Sequence, residues 1–194
     1  MRRLCVLLAA LVLALYPLLV WWGVTHQQLL PALLVLSLGF AMRLILASGS
    51  TPVPGQALRV VAGLGLLLCL LVWWHQQTQW LLWYPVLVNG LGFALFFISL
   101  WQPMTVVERI ARWQEPALPA AAVGYTRRVT QIWCLFFLLN GAVAGWTIWL
   151  GDMRYWSLYN GVISYLAMAL LMAGEYLVRR RVRARIDDME RSCH

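Results

Sequence analysis

Between Arg3 and Arg43 the chain carries no charged residue, and that gap removes most of the ways in which it can fold. A helix needs ~20 apolar residues to cross a hydrocarbon core of ~30 Å, so a run of this length must turn back on itself once. The turn falls at Trp21-Trp22-Gly23-Val24-Thr25-His26-Gln27-Gln28, which is polar but uncharged. It leaves one span at 4–22 and a second at 29–47. Arg2 and Arg3 ahead of an apolar stretch also resemble the start of a signal peptide. The stretch is longer than an h-region of ~7–15 residues, and no small-x-small site closes it, so an uncleaved helix is expected.

The rest of the sequence repeats this pattern. Ser48-Gly49-Ser50-Thr51-Pro52-Val53-Pro54-Gly55 is rich in helix breakers and ends the first hairpin. Further spans are expected at 58–74 and 80–101, joined by His75-Gln76-Gln77-Thr78-Gln79, and at 129–150 and 155–178, joined by Gly151-Asp152-Met153-Arg154. Gly63 and Gly65 make the third span suited to tight packing on a neighbour. The Trp-Trp and His-Gln-Gln of the first turn recur at Trp73-Trp74 and His75-Gln76-Gln77, either as a weak internal repeat or as two ordinary interfacial turns. Over 104–113, Val106, Val107, Ile110 and Trp113 fall on one side of a helix and Glu108, Arg109 and Arg112 on another, which predicts a short amphipathic helix on the membrane surface. A basic tail, 179–194, follows the last span. The fold class is thus all-α: a polytopic membrane protein with six transmembrane helices in three hairpins.

Composition agrees, with 62% hydrophobic and 11% charged residues among 194 and a mean hydropathy of +0.74. The 15 basic residues are all arginine, and every one except Arg154 falls on the same side of the six-span layout. The positive-inside rule then places both termini in the cytoplasm. Trp21, Trp22, Trp73, Trp74, Trp80, Trp149 and Trp156 form an aromatic belt at the opposite face. These arginines flank apolar spans instead of forming a folded basic module, so the net charge of +8 speaks for topology and not for nucleic acid. Cys5, Cys69, Cys134 and Cys193 are scattered, which indicates neither a disulfide framework nor a metal site.

Chemistry-bearing residues inside the spans are few. An acid there is a functional candidate by default, and Glu175 alone qualifies; with Asn160, Ser164 and Leu171 it falls along one side of the last span. It either handles a substrate or proton or pairs near the interface with Arg127, Arg128 or Arg179. Asn89, Asn140 and Asn160 sit inside spans four to six, each followed by glycine. They either hydrogen-bond between helices, with glycine allowing close approach, or line a pocket. Gly141 and Gly145 form a GxxxG packing face. The sequence contains no HExxH, no phosphate-binding glycine loop and no GxSxG, so no catalytic residue, cofactor or metal is expected.

The run Trp83-Tyr84-Pro85-Val86-Leu87-Val88-Asn89, with Pro103, Glu108-Arg109-Ile110-Ala111-Arg112, Leu118-Pro119, Tyr125-Thr126-Arg127-Arg128-Val129-Thr130, Trp133, Phe136-Phe137-Leu138-Leu139-Asn140 and Glu175-Tyr176, resembles a family of uncharacterised bacterial inner-membrane proteins. Members of that family are typically encoded among aryl-polyene or xanthomonadin-type pigment biosynthesis genes, beside acyl carrier proteins, ketosynthases and acyltransferases. The resemblance covers roughly the C-terminal two-thirds. More distantly, Pro103, Glu108-Arg109, Leu118-Pro119, Trp133 and Phe136-Phe137 are similar to the intracellular septation protein A family. Neither resemblance brings catalytic residues.

The resemblance implies a pathway context, and the residues suggest roles within it. The expected function is a non-catalytic accessory or scaffold supporting aryl-polyene-type synthesis. In that role Glu108, Arg109, Arg112, Arg127, Arg128, Arg179, Arg180 and Arg181 would meet anionic lipids, acyl carrier protein or biosynthetic enzymes at the cytosolic face. The alternatives are a transporter or flippase component for a lipid-like product, with a pocket lined by Asn89, Asn140 and Asn160, and an envelope-maintenance protein of the septation type. Oligomeric state is not legible in the sequence.

Overall fold

The computed structural model describes residues 11–12, 14–46, 55–114 and 120–192. Expectations that fall on residues 1–10, the 47–54 linker, residues 115–119, Cys193 and His194, or the side chains of residues 182–192 lie outside the described residues. In chain order the elements are α1 (Tyr16–Thr25), α2 (Leu29–Leu46), α3 (Gly55–His75), α4 (Gln79–Leu82), α5 (Tyr84–Ser99), α6 (Val106–Gln114), α7 (Ala120–Trp149), α8 (Met153–Leu158), a π-helical turn (Tyr159–Ile163) and α9 (Ser164–Ser192). Among the described residues there is no strand. Leu58–His75, Gln79–Ser99, Ala122–Trp149 and Met153–Arg181 are long and apolar enough to cross a membrane, and Leu29–Ile45 is apolar but shorter. The described residues of the chain are those of an all-helical, membrane-embedded protein, with four such helices among them. Most of the expected span at 4–22 falls on residues not described.

Helix ends depart from the expected boundaries for physical reasons. Hydropathy marks where the chain meets hydrocarbon, not where a helix begins. α7 therefore starts at Ala120, well before the expected entry at 129, because residues 120–128 contain no helix breaker beyond Gly124. α9 likewise runs through the arginines to Ser192. The expected span at 80–101 is divided at Trp83, because Pro85 lacks an N–H and its ring crowds the carbonyl four residues back.

That carbonyl belongs to Leu81, and it organises the core. Tyr16 Oη, from α1, donates to Leu81 O at 2.6 Å, and Trp156 Nε1, from α8, donates to Leu82 O at 3.2 Å. Tyr16 and Trp156 are each 1% exposed. An unpartnered carbonyl in hydrocarbon costs several kcal/mol, so the proline break draws α1 and α8 onto the α4–α5 junction. Trp156, expected in the aromatic belt, is buried instead because its N–H has this partner. Trp22, Trp73, Trp74, Trp80 and Trp149 are exposed.

Around this junction Tyr16, Phe40 and Tyr84 pack ring against ring, with centroids 4.6–6.1 Å apart. Leu33, Leu36, Cys69 and Val72 belong to the same cluster. A Cβ at Gly65 would strike the Phe40 ring, whereas one at Gly63 would meet open space. Of these two, Gly65 is thus the contact glycine. In the two His-Gln-Gln turns, Gln27 and Gln76 both adopt left-handed backbone, with φ of 57° and 54°. The sequence echo is therefore also a conformational one.

Candidate functional site

The extensive packing of α5 on α7 is permitted by glycine. A Cβ at Gly92 would come within 2.9 Å of the Phe137 ring, and one at Gly141 within 3.1 Å of Asn89 Cβ. The Gly141–Gly145 motif thus faces α5 and lets Asn89 and Asn140 meet. Asn140 Nδ2 donates to Asn89 Oδ1 at 3.0 Å and to Ser164 Oγ at 2.9 Å, while Asn140 Oδ1 accepts from Tyr159 Oη at 2.8 Å. Asn89 Nδ2 donates to Pro85 O at 2.8 Å. Two asparagines, a serine and a tyrosine so form one network joining α5, α7, the π turn and α9.

Asn160 stands beside this network. Its Nδ2 donates to Trp156 O at 2.9 Å and to Thr147 Oγ1 at 3.4 Å. The π turn spans Tyr159–Ile163 and shifts the side-chain register by about one residue relative to an α-helix, which brings Tyr159 toward Asn140. Tyr159 was not singled out from the sequence, and only the polar run Tyr159-Asn160 ahead of Ser164 hints at it. A cavity of about 120 Å³ opens next to the amides, lined by Tyr16, Tyr84, Asn89, Asn140, Asn160 and Ser164 among others. Among the described residues no buried side-chain nitrogen or oxygen lacks a partner.

Glu175 lies elsewhere. It forms an ion pair with Arg179 at 3.8 Å, and its backbone carbonyl accepts from Tyr125 Oη at 3.2 Å. With Leu171 it borders a separate space of about 240 Å³ between α7 and α9. The side of the last span that joins Asn160, Ser164, Leu171 and Glu175 in the sequence is therefore split between two places. Among the described residues no three His, Cys, Asp or Glu gather closely enough to hold a metal ion.

The charged candidates form a third group at the arginine-bearing end. Ser99 Oγ accepts from Val106 N at 3.2 Å, and Thr105 Oγ1 accepts from Glu108 N at 3.3 Å, together starting α6. The spacing of Glu108 and Arg112, four apart on the polar side of a surface helix, predicts an i,i+4 pair, and the pair forms. The Glu108 side chain is 5% exposed and is held by Arg112 at 2.9 Å, because α6 packs against α7 and its charged pair turns toward that contact. Trp113 is exposed. Arg109 donates to Gln102 Oε1, and Arg127 donates to Leu100 O at 2.8 Å, closing the end of α5. Arg128, Arg180 and Arg181 are exposed, and Arg180 sits over the Tyr176 ring at 5.9 Å. Arg127 and Arg112 thus have internal partners, while Arg128 and Arg181 face outward.

Comparison with protein-family models, with curated proteins and with solved structures finds no match for this chain.

Proposed function

We propose that this chain is a non-catalytic accessory of the bacterial inner membrane, with both termini in the cytoplasm, that supports synthesis of an aryl-polyene-type lipid by holding partners at its basic face. The observation that carries this reading is the closed polar centre. Asn140 uses both amide hydrogens and its carbonyl on side chains of the same chain, so its polarity is directed to holding helices together. The adjoining cavity of about 120 Å³ is smaller than the ~300–1,000 Å³ of sites that take a drug-sized ligand, which supports an accessory role over passage of a polyene through this centre. The outward arginines at one end of the bundle suit acyl carrier protein, which is acidic, or anionic head groups.

The test is a clean deletion of the gene, with visible absorbance and mass spectrometry of lipids from separated inner and outer membranes. Loss of a polyene product from both fractions supports the accessory role. Build-up in the inner membrane with depletion of the outer would move the assignment to transport. An unchanged lipid profile would sink the pathway and leave envelope maintenance as the better reading.

A further inference from the structure

We propose that the cleft between α7 and α9 holds one acyl chain of an anionic phospholipid, with the lipid phosphate at the arginines of the cleft mouth. The cleft is bounded by two bridges, Asn140 to Ser164 at its inner end and Tyr125 to Glu175 O at its outer end. Between them α7 and α9 barely touch, and about 240 Å³ stays open, walled by Val129, Ile132, Trp133, Leu170, Leu171 and Val178. At Gly174, on the same wall, a Cβ would meet nothing within 4 Å.

This space lies between two helices apolar enough to cross a membrane. Water would find almost no hydrogen-bonding partner there, and stable buried water needs two to four. A hydrocarbon occupant does not. From Tyr125 to Trp133 the wall is about 12 Å long at the helical rise, and the volume falls short of that for a whole drug-sized ligand. Part of one chain fits, and a complete lipid does not.

The charge at the mouth selects the head group. Arg128 follows Tyr125 by three positions and precedes Ile132 by four, so it shares their face of α7. Arg181 follows Gly174 by seven and shares its face of α9. Both are exposed. Among the described residues the one carboxylate at the cleft, Glu175, is paired with Arg179, so these residues leave a positive balance that a phosphate completes and a neutral head group does not. The inference rests on the membrane-embedded character of the chain and not on the accessory role, so the gene deletion and the experiment below succeed or fail separately.

The full chain is purified in mild detergent, stripped of lipid, and titrated with phosphatidylglycerol or chain-matched phosphatidylcholine under native mass spectrometry. One phosphatidylglycerol is expected to stay bound at detergent ratios that remove phosphatidylcholine. Arg128→Gln with Arg181→Gln should weaken phosphatidylglycerol about fivefold for each arginine removed and leave phosphatidylcholine unchanged. Gly174→Phe fills the cleft and should abolish the retained lipid while elution volume and helical circular dichroism stay those of the parent. Equal retention of the two lipids by the parent would overturn the proposal, as would an undiminished adduct in Gly174→Phe. A dimer mass lost on Gly174→Phe would overturn it too, by showing a second copy in the cleft. Should Gly174→Phe fail to fold, the surface-exposed arginine pair still decides the outcome.

Discussion

Asn140 ties three other elements through one side chain, since Asn89, Ser164 and Tyr159 all bond to it. Interhelical hydrogen bonds in membranes contribute modestly, about 0.6 kcal/mol on average and up to about 1.7, because a separated helix finds other partners. A double-mutant cycle with Asn89→Leu and Asn140→Leu should therefore give a coupling of about 0.6–1.7 kcal/mol, read as stability in mixed micelles. A coupling near zero would mean the amides do not act as a pair. Tyr16 makes a different case. Tyr16→Phe keeps the ring contacts with Phe40 and Tyr84 and removes only the donor to Leu81 O. Leaving that carbonyl without a partner should cost about 1–3 kcal/mol, seen as a lower midpoint of unfolding. Pro85 shows in the sequence that a carbonyl four residues back will be freed. Which side chain answers it does not show, since Tyr16 is separated from Leu81 by two intervening helices.

At the scale of elements, the packing of α3 distinguishes two glycines that look alike in the sequence. Gly65→Ala drives a methyl group into the ring of Phe40, which is wholly buried and cannot retreat. The expected loss is about 1–3 kcal/mol, the range for overpacking. Gly63→Ala meets open space and should be neutral or gain up to ~1 kcal/mol of helix propensity. Thermal unfolding of the two variants in detergent checks the contrast, and equal effects would show that Phe40 does not seat on Gly65. The alternation of apolar runs and breakers made the helices themselves legible, as it did the turns at His26-Gln27 and His75-Gln76. The π turn was not legible, because no residue pattern in Tyr159–Ile163 demands an extra residue per turn. The consequence is that Asn160 and Ser164, four apart and on one face of a regular helix, reach different partners: Ser164 meets Asn140, and Asn160 meets Thr147. The inward turn of Glu108 escaped for a related reason. Amphipathicity identifies two faces of a short helix, but which face meets protein depends on α7, whose start at Ala120 hydropathy did not locate.

For the whole molecule, the distribution of arginine carries a prediction about orientation. Gln77 lies in an exposed turn at the end of the bundle that carries Arg154, and Gln102 is exposed near the end that carries Arg109, Arg127 and Arg128. The positive-inside rule counts arginines in short connections close to the spans, and among the described residues all such arginines except Arg154 fall at the second end. In a chain with its four natural cysteines replaced by alanine, Gln77→Cys should react with a membrane-impermeant maleimide in cells whose outer membrane has been opened. Gln102→Cys should react only after the inner membrane is breached. Both labelling patterns reversed would invert the protein and place its basic face outside, away from any cytosolic acyl carrier protein, so the accessory reading would fall with it. Adding Arg-Arg beside Gln77 makes the same argument from the other direction. It weakens the arginine bias without touching the Pro85 junction or the asparagine network, and a mixed labelling pattern in that variant would show that charge, more than packing, sets which way this bundle faces.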